Sequence, residues 1–273
     1  MTSINTNLSS LNAQRHITKS SNDLSTSMQR LSSGLRVNSA KDDAAGMSIA
    51  TKMDSQIRGM SQASRNANDG ISMIQTADGA LSNISDALQR MRELAVQGAN
   101  ETNGTEEWKN IDTEMTALNT EIARIASDTK FNGNALLTAA GGTKDIQVGA
   151  DSTQKITVSF GKNTDYAALG AADITVSSAA SGAAAIAKID GALKALNTER
   201  SSLGTAQNRM GYAISNLGTS IENQSAAKSR ITDTDYAAET SKLSRAQILQ
   251  QAGTAMLAQA NSAPNNVMSL LRG

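Results

Sequence analysis

Apolar residues recur every three and then four positions over long stretches of this chain. This spacing places them on one side of an α-helix, and the longest series, over residues 186–221, extends roughly 50 Å at ~1.5 Å per helical residue. Other helices must cover a stripe of this length, so the pattern predicts a helical bundle. The stripe contains Ile186, Ile189, Leu193, Leu196, Arg200, Leu203, Gln207, Met210, Ile214, Leu217 and Ile221.

Two earlier segments, residues 71–95 and 108–125, have the same spacing. Because each stripe needs an apolar partner, we predict that all three pack against one another in one elongated bundle. The two stripes contain Ile71, Ile74, Ala77, Leu81, Ile84, Leu88, Met91 and Ala95, and then Trp108, Ile111, Met115, Leu118, Ile122 and Ile125.

Five residues of the long helix depart from a simple apolar stripe. Arg200 and Gln207 interrupt it, and they either lie at the bundle edge with their polar ends in water or fix the helix register from within the seam. Three glycines lie seven residues apart, at Gly204, Gly211 and Gly218. Each lowers the stability of a helix by roughly 1 kcal/mol relative to alanine. We expect a neighbouring helix backbone to approach closely there, and the alternative is that the glycines are exposed and tolerated.

The two ends of the chain, residues 4–37 and 235–271, have weaker helical patterns in which small polar residues are common. Each helix is marginal alone, so we predict that the two stabilise each other as a pair. The apolar positions of the ends include Leu8, Leu11, Leu24, Met28, Leu31, Leu35, Leu243, Leu249, Met256, Leu257, Val267, Leu270 and Leu271.

The apolar period changes to two between residues 141 and 178, which predicts a β-hairpin and a third short strand. The alternating positions are Ile146, Val148, Ile156, Val158, Phe160, Ile174 and Val176. The predicted fold class is therefore mainly α: an elongated antiparallel helical bundle or coiled coil with paired terminal helices and a small β-hairpin region. Residues 1–42 with 235–273 are predicted to form a terminal domain, and residues 43–234 a helical domain containing the hairpin.

The amino-acid composition limits the classes of partner that we expect for this chain. Lys plus Arg equals Asp plus Glu at 25 each, so no bulk charge attracts nucleic acid or an anionic membrane. There is no cysteine, and no run of about 18 apolar residues. The amino terminus lacks the layout of a secretory signal, so export is expected to use another route.

No catalytic or metal-binding pattern is apparent in the sequence. His16, the only histidine, has no acidic neighbour closer than Asp23, which argues against a triad or metal role. Asp233, Asp235 and Glu239 lack the glycine and the twelfth-position acid of a calcium loop, and fit a helix cap better. We therefore predict neither enzyme activity nor a cofactor.

Several strings, in the same order along the chain, resemble bacterial flagellin. They are LSSGLRVNSAKDDAAGM at 31–47, LQRMRELAVQ at 88–97, TKFNG at 129–133, ILQQAG at 248–253, LAQAN at 257–261 and VMSLLR at 267–272. The resemblance covers about the first 135 and the last 90 residues. Only about 45 residues separate Leu137 from Ala183, too few for the variable outer domains that many flagellins carry.

The resemblance implies a structural subunit that polymerises into the flagellar filament for swimming motility. It would leave the cell unfolded through the flagellar type III apparatus and function in the extracellular flagellum. Its ends would pair into an inner coiled coil, which makes their apolar positions the assembly residues, and the middle would form a surrounding spoke domain. The partners implied are further copies, an export chaperone, and the hook-junction and cap proteins. Two alternatives are the hook–filament junction protein and a cell-surface glycan-binding flagellin homologue.

The resemblance also implies a contact patch on the middle helices, formed by Gln89, Arg90, Glu93, Leu94 and Glu114. In flagellins this region contacts neighbouring subunits, and the flagellin-sensing Toll-like receptor reads it. The patch is therefore expected to be exposed on one helical surface.

Overall fold

The computed structural model describes residues 6–138, 142–160 and 174–270, with the side chains of the last helix described as far as Ser262. These residues form five helices and two antiparallel strand pairs, so the prediction of a mainly helical fold with a small β-hairpin is confirmed. The helices are α1 Leu8–Ser33, α2 Ala44–Gly98, α3 Thr105–Asp128, α4 Ala179–Thr232 and α5 Tyr236–Leu270. The strands are β1 Lys130–Phe131, β2 Asn134–Ala135, β3 Thr143–Gln147 and β4 Lys155–Ser159.

Local chemistry fixes the helix ends and the turns. The Asn7 side chain caps α1 by accepting a hydrogen bond from the Ser10 amide at 3.1 Å. The carboxylate of Glu107 accepts one from the Gly104 amide at 3.0 Å, which closes the first turn of α3. Asn132 and Gly133 have φ angles of 49° and 80°, and this positive-φ turn joins β1 to β2.

The chain folds into two compact units. We call Met1–Ser55 with Asn223–Gly273 the terminal unit, and Gln56–Glu222 the larger unit. In the larger unit, the three predicted apolar stripes share one hydrophobic core, as predicted, except that Leu217 and Ile221 pack in a second, smaller cluster with Met60. The β3–β4 hairpin also joins the main core. Ile156 and Val158 of β4 lie in that core, since alternate residues of a strand point to the same face.

The buried side of α4 differs from the predicted stripe at every second position. The stripe residues at those positions are only half-buried, and the structure instead buries a line of mostly alanine one residue earlier. The small side chains let the helices approach closely, because interaxial distance depends on the residues at the contact. The shared positions are Ile189, Leu196, Leu203, Met210 and Leu217, and the unexpected ones are Ala185, Ala192, Glu199 and Ala206.

The glycine prediction is wrong within this chain. A Cβ atom added at Gly204, Gly211 or Gly218 would meet no described atom within 4 Å, so these residues are tolerated on an open side of α4. Arg200 lies at the edge of the core, where its Nε atom donates to the Asp78 carboxylate at 2.8 Å. The edge interpretation therefore holds for Arg200.

The predicted third strand is wrong for the residues that the structure describes. Ile174 and Val176 are buried, but residues 174–176 have no regular secondary structure. The Val176 amide donates instead to the Asp112 side chain at 2.9 Å, which ties this segment to α3. Within the described ranges no helix is long and apolar enough to cross a membrane.

Candidate assembly surfaces

Helices α1 and α5 pair in antiparallel orientation within the terminal unit. Near the start of α1, the Asn7 side-chain amide donates to the Ala260 carbonyl at 2.7 Å. Near its end, the Ser27 hydroxyl donates to the Glu239 carboxylate at 2.8 Å. Because the early residue of α1 meets the late residue of α5, the two helices run in opposite directions.

The fully buried positions of the seam between α1 and α5 are small or polar. Ser20, Ser27, Glu239 and Ala246 are its buried members. A Cβ atom added at Gly253 would lie 2.8 Å from an Ile17 side-chain carbon, so the helices approach closely there. Because larger apolar residues such as Ile17 are only half-buried, the seam gains less hydrophobic stabilisation than a fully buried apolar one would, at roughly 25 cal/mol per Å² buried.

Glu239 is the one acidic residue buried among the described residues of this seam. Burial raises its pKa, but hydrogen bonds from Ser27 and Lys242 lower the pKa by more, so it lies below the usual range. The carboxylate is therefore held ionised between the two helices, and its contribution to pairing is lost only as the pH falls through that lowered pKa.

A short backbone crossing joins the end of α1 to the α4–α5 connection. The Thr234 amide donates to the Gly34 carbonyl at 3.0 Å, and the Arg36 amide donates to the Thr232 carbonyl at 2.6 Å. Gly34 has a φ of 71°, and the Tyr236 hydroxyl lies 3.1 Å from where its Cβ would be. Sequence reasoning missed this crossing because the predicted helical segment ran on to residue 37, although Gly34 is a residue that commonly ends a helix.

The predicted assembly residues divide into two groups. One group lies half-buried in the terminal unit and contains Leu24, Leu31, Leu35, Leu243 and Leu257. The other, which we call the outer apolar set, is between 46% and 68% exposed and contains Leu8, Leu11, Met28, Leu249 and Met256. The side chains of Val267 and Leu270, and all of Leu271, lie outside the described residues.

Exposed large apolar side chains mark sites of interaction when they cluster on a protein surface. Sequence reasoning left three exposed members of the terminal unit out of the assembly residues: Ile49, Tyr236 and Ile248. Ile248 directly precedes Leu249 on α5, and helical spacing alone gave no way to tell which flank would be covered by α1.

Arg90 bridges α2 and α3 in the larger unit. Its Nε and Nη2 atoms donate to one Glu114 oxygen at 3.0 and 2.8 Å, and its Nη1 atom donates to Glu93 at 3.0 Å. These bonds, first to Glu93 and then to Glu114, raise the pKa of Arg90. All three side chains remain about half exposed or more, so they present a fixed array of one cation and two anions.

The other two residues of the predicted patch lie in different settings. Gln89 is exposed, and its side-chain amide donates to the Ser85 hydroxyl at 3.3 Å. Leu94 is only 2% exposed and belongs to the core of the larger unit. The structure therefore brings together Arg90, Glu93 and Glu114 at the surface, and it places Leu94 beneath them as core.

No group of three candidate metal ligands occurs among the described residues. Asp233 accepts hydrogen bonds from the hydroxyls of Ser229 and Thr232, which lower its pKa. Asp235 accepts from the Ala237 amide at 2.9 Å and caps α5, as the sequence indicated.

Comparisons with known proteins identify the family of this chain. Residues 4–141 match the family model of the bacterial flagellin N-terminal helical region, and residues 186–271 that of the C-terminal helical region. A flagellin of Halalkalibacterium halodurans is 48% identical over 98% of this chain and 99% of its own length. A flagellin of Xenorhabdus nematophila is 44% identical, with the same coverage of both chains.

A solved structure supports the same relationship. The crystal structure of Bacillus cereus flagellin superposes with a TM-score of 0.51 at 33% identity, over 56% of this chain and 88% of the other. The junction-protein and glycan-binding alternatives are not favoured. The chain belongs to the bacterial flagellin family, and it is a structural subunit of the extracellular flagellar filament, not an enzyme.

Proposed function

We propose that the outer apolar set is buried between copies of the chain when the filament forms. The observation that carries this proposal is the contrast between the two sides of the terminal helices. The fully buried residues of their mutual seam are small or polar, while Leu8, Leu11, Leu249 and Met256 point large apolar groups outward. Contact with further copies would cover these groups and add the hydrophobic stabilisation that the pair lacks.

The same contrast supports coupled ordering and assembly. A helix pair with few buried apolar groups is weakly stable alone, so much of its ordering would occur on addition to the filament. A weakly ordered terminal unit also suits passage of an unfolded chain through the type III export apparatus. Before assembly, an export chaperone would bind the exposed leucine and methionine side chains. The hook-junction and cap proteins would contact the same ends of the chain.

Leu249→Glu tests the assembly surface. We expect seeded filament growth to fall at least roughly tenfold, because a carboxylate buried in an apolar contact without a partner costs several kcal/mol. Gln251→Glu is the matched control, since it adds the same charge at an exposed polar position of α5. Growth rates come from light scattering and electron microscopy. Equal growth of Leu249→Glu and wild type would refute the proposal.

The Arg90 array supports a second proposed role, as a contact patch for neighbouring subunits and for the flagellin-sensing Toll-like receptor. Its geometry favours this role, because a guanidinium held in place by two carboxylates loses little freedom on binding. Arginine is also enriched among the residues that dominate binding energy at protein interfaces. Glu93 and Glu114 would add acceptors on either side of it.

Arg90→Ala should reduce receptor signalling by the monomer and weaken lateral contacts in the filament, while helix content stays unchanged because the side chain is exposed. Arg124→Ala is the control, since Arg124 forms similar exposed pairs with Glu121 and Asp128 on α3. Receptor reporter assays and filament dissociation by heat measure the two effects. If both variants behave alike, the patch has no special role.

A further inference from the structure

Sulfur chemistry in this chain rests wholly on methionine. The sequence contains eleven methionines and no cysteine. Among the described methionines, Met28 and Met256 are the most exposed, at 58% and 64%. Met47 and Met53 are half-buried, and Met91, Met115 and Met210 are 0% exposed in the core of the larger unit. Oxidation of a thioether follows access, so an oxidant should reach these two side chains first.

Both exposed methionines belong to the outer apolar set. Met28 lies on α1, next to Ser27, whose hydroxyl binds Glu239 in the seam. Met256 lies seven residues after Leu249 on α5, so the two share a side of that helix. A change in polarity at either sulfur would therefore alter the surface to which we assign assembly.

We propose that Met28 and Met256 are oxidation sites through which a peroxide reversibly switches assembly off. This inference rests on the proposed role of the outer apolar set. The methionine sulfur attacks one oxygen of hydrogen peroxide, a sulfur–oxygen bond forms, and the oxygen–oxygen bond breaks. The second oxygen leaves as water after taking up a proton, so methionine is oxidised by two electrons and the peroxide is reduced.

The sulfoxide affects assembly and folding differently. In the free chain it faces water and is hydrated, so the terminal helices lose little. Between copies it would be buried as a strong acceptor without a partner, which opposes the contact. In the filament these side chains would be covered, so the free chain is the species that a peroxide modifies. Methionine sulfoxide reductases convert the group back, which makes the change reversible.

The test treats full-length monomer with graded hydrogen peroxide and maps sulfoxides by peptide mass spectrometry. Met28 and Met256 should oxidise roughly tenfold faster than Met91, Met115 and Met210, because only the first two are accessible. Equal rates for the exposed and buried groups, with helix content retained, would overturn the inference.

Seeded growth then links oxidation to assembly. Oxidised wild-type monomer should elongate seeds roughly tenfold more slowly, and sulfoxide reductases should restore the rate. The double variant Met28→Leu/Met256→Leu keeps apolar side chains of similar volume and should elongate normally after the same treatment. Each single variant should show part of the protection. Equal loss of growth in the double variant would overturn the inference, because the damage would then lie at other methionines.

The Leu249→Glu variant separates this inference from the proposed function, since it involves no sulfur. Normal growth of Leu249→Glu would refute the assembly surface itself. Blocked growth of Leu249→Glu together with normal growth of wild type carrying sulfoxide at both positions would refute only the oxidation switch.

Discussion

Leu196→Asp is expected to unfold much of the larger unit under conditions in which the wild-type chain is folded. Leu196 is 0% exposed and lies in the core shared by α2, α3, α4 and the β3–β4 hairpin. A carboxylate there has no partner and leaves the space of a leucine, so the free energy of unfolding should fall by about 4 kcal/mol. Urea unfolding followed by circular dichroism measures the change.

Leu193→Asp provides the control on the same helix. Leu193 is only half-buried and lines a surface groove with Asp190, Lys194 and Asn197, so its substitute keeps contact with water. The free energy of unfolding should fall by roughly 1–2 kcal/mol, the value for a partly buried leucine. If the two variants were equally stable, the buried side of α4 would not be the one that the structure shows, in which Leu196 is buried and Leu193 is half-buried.

Removing residues 1–37 is expected to abolish filament growth while the larger unit stays folded. The deletion takes away α1, and α5 then has no partner for its seam. Loss of helix should therefore exceed the 26 residues of α1. The core of the larger unit lies within Gln56–Glu222, so its unfolding midpoint should be unchanged.

Removing residues 235–273 is the complementary experiment, because it deletes the other member of the helix pair. Filament growth should again be lost, and the larger unit should again stay folded. Circular dichroism and electron microscopy of seeded samples report folding and assembly separately. Robust filaments from either shortened chain would contradict the paired-helix interpretation. Loss of the larger unit's cooperative transition would show instead that the ends are needed for its folding.

The sequence predicted the helices well where the apolar pattern was dense. On α2 the buried positions Ile74, Leu81, Leu88 and Met91 coincide with the predicted stripe. The turn at Asn132 and Gly133 likewise has a local cause, since Asn-Gly readily takes positive φ. Here local propensity and burial pointed to the same structure.

The pattern failed where small residues carry the packing. On α4, Leu193 and Arg200 were the stripe positions, but Ala192 and Glu199, one residue earlier, are buried instead. On α3, Asn119 is likewise buried where Leu118 was expected. Helical spacing is compatible with burial of the stripe residues or of the residues one position earlier. Which of them is buried depends on how closely a neighbouring helix, distant in sequence, packs against the alanines. The size of an apolar residue was therefore a poor guide to its depth.

The assembly surface was only partly predictable for a related reason. The sequence identified the apolar residues of both ends, but it could not separate Leu24, which is half-buried, from Met28, which is 58% exposed. That division depends on how α1 docks on α5. The Arg90 array was more accessible to prediction, because Glu93 lies one turn away on the same helix and only Glu114 needed the antiparallel arrangement of α3.

Thiol labelling at position 249 tests most directly whether the outer side of α5 becomes buried in the filament. The chain has no cysteine, so Leu249→Cys introduces a single reactive site. We predict that a maleimide reacts rapidly with this thiol in the monomer and at least roughly tenfold more slowly in intact filaments, because access controls thiol reactivity. Equal labelling rates in monomer and intact filament would contradict the burial of this surface between copies.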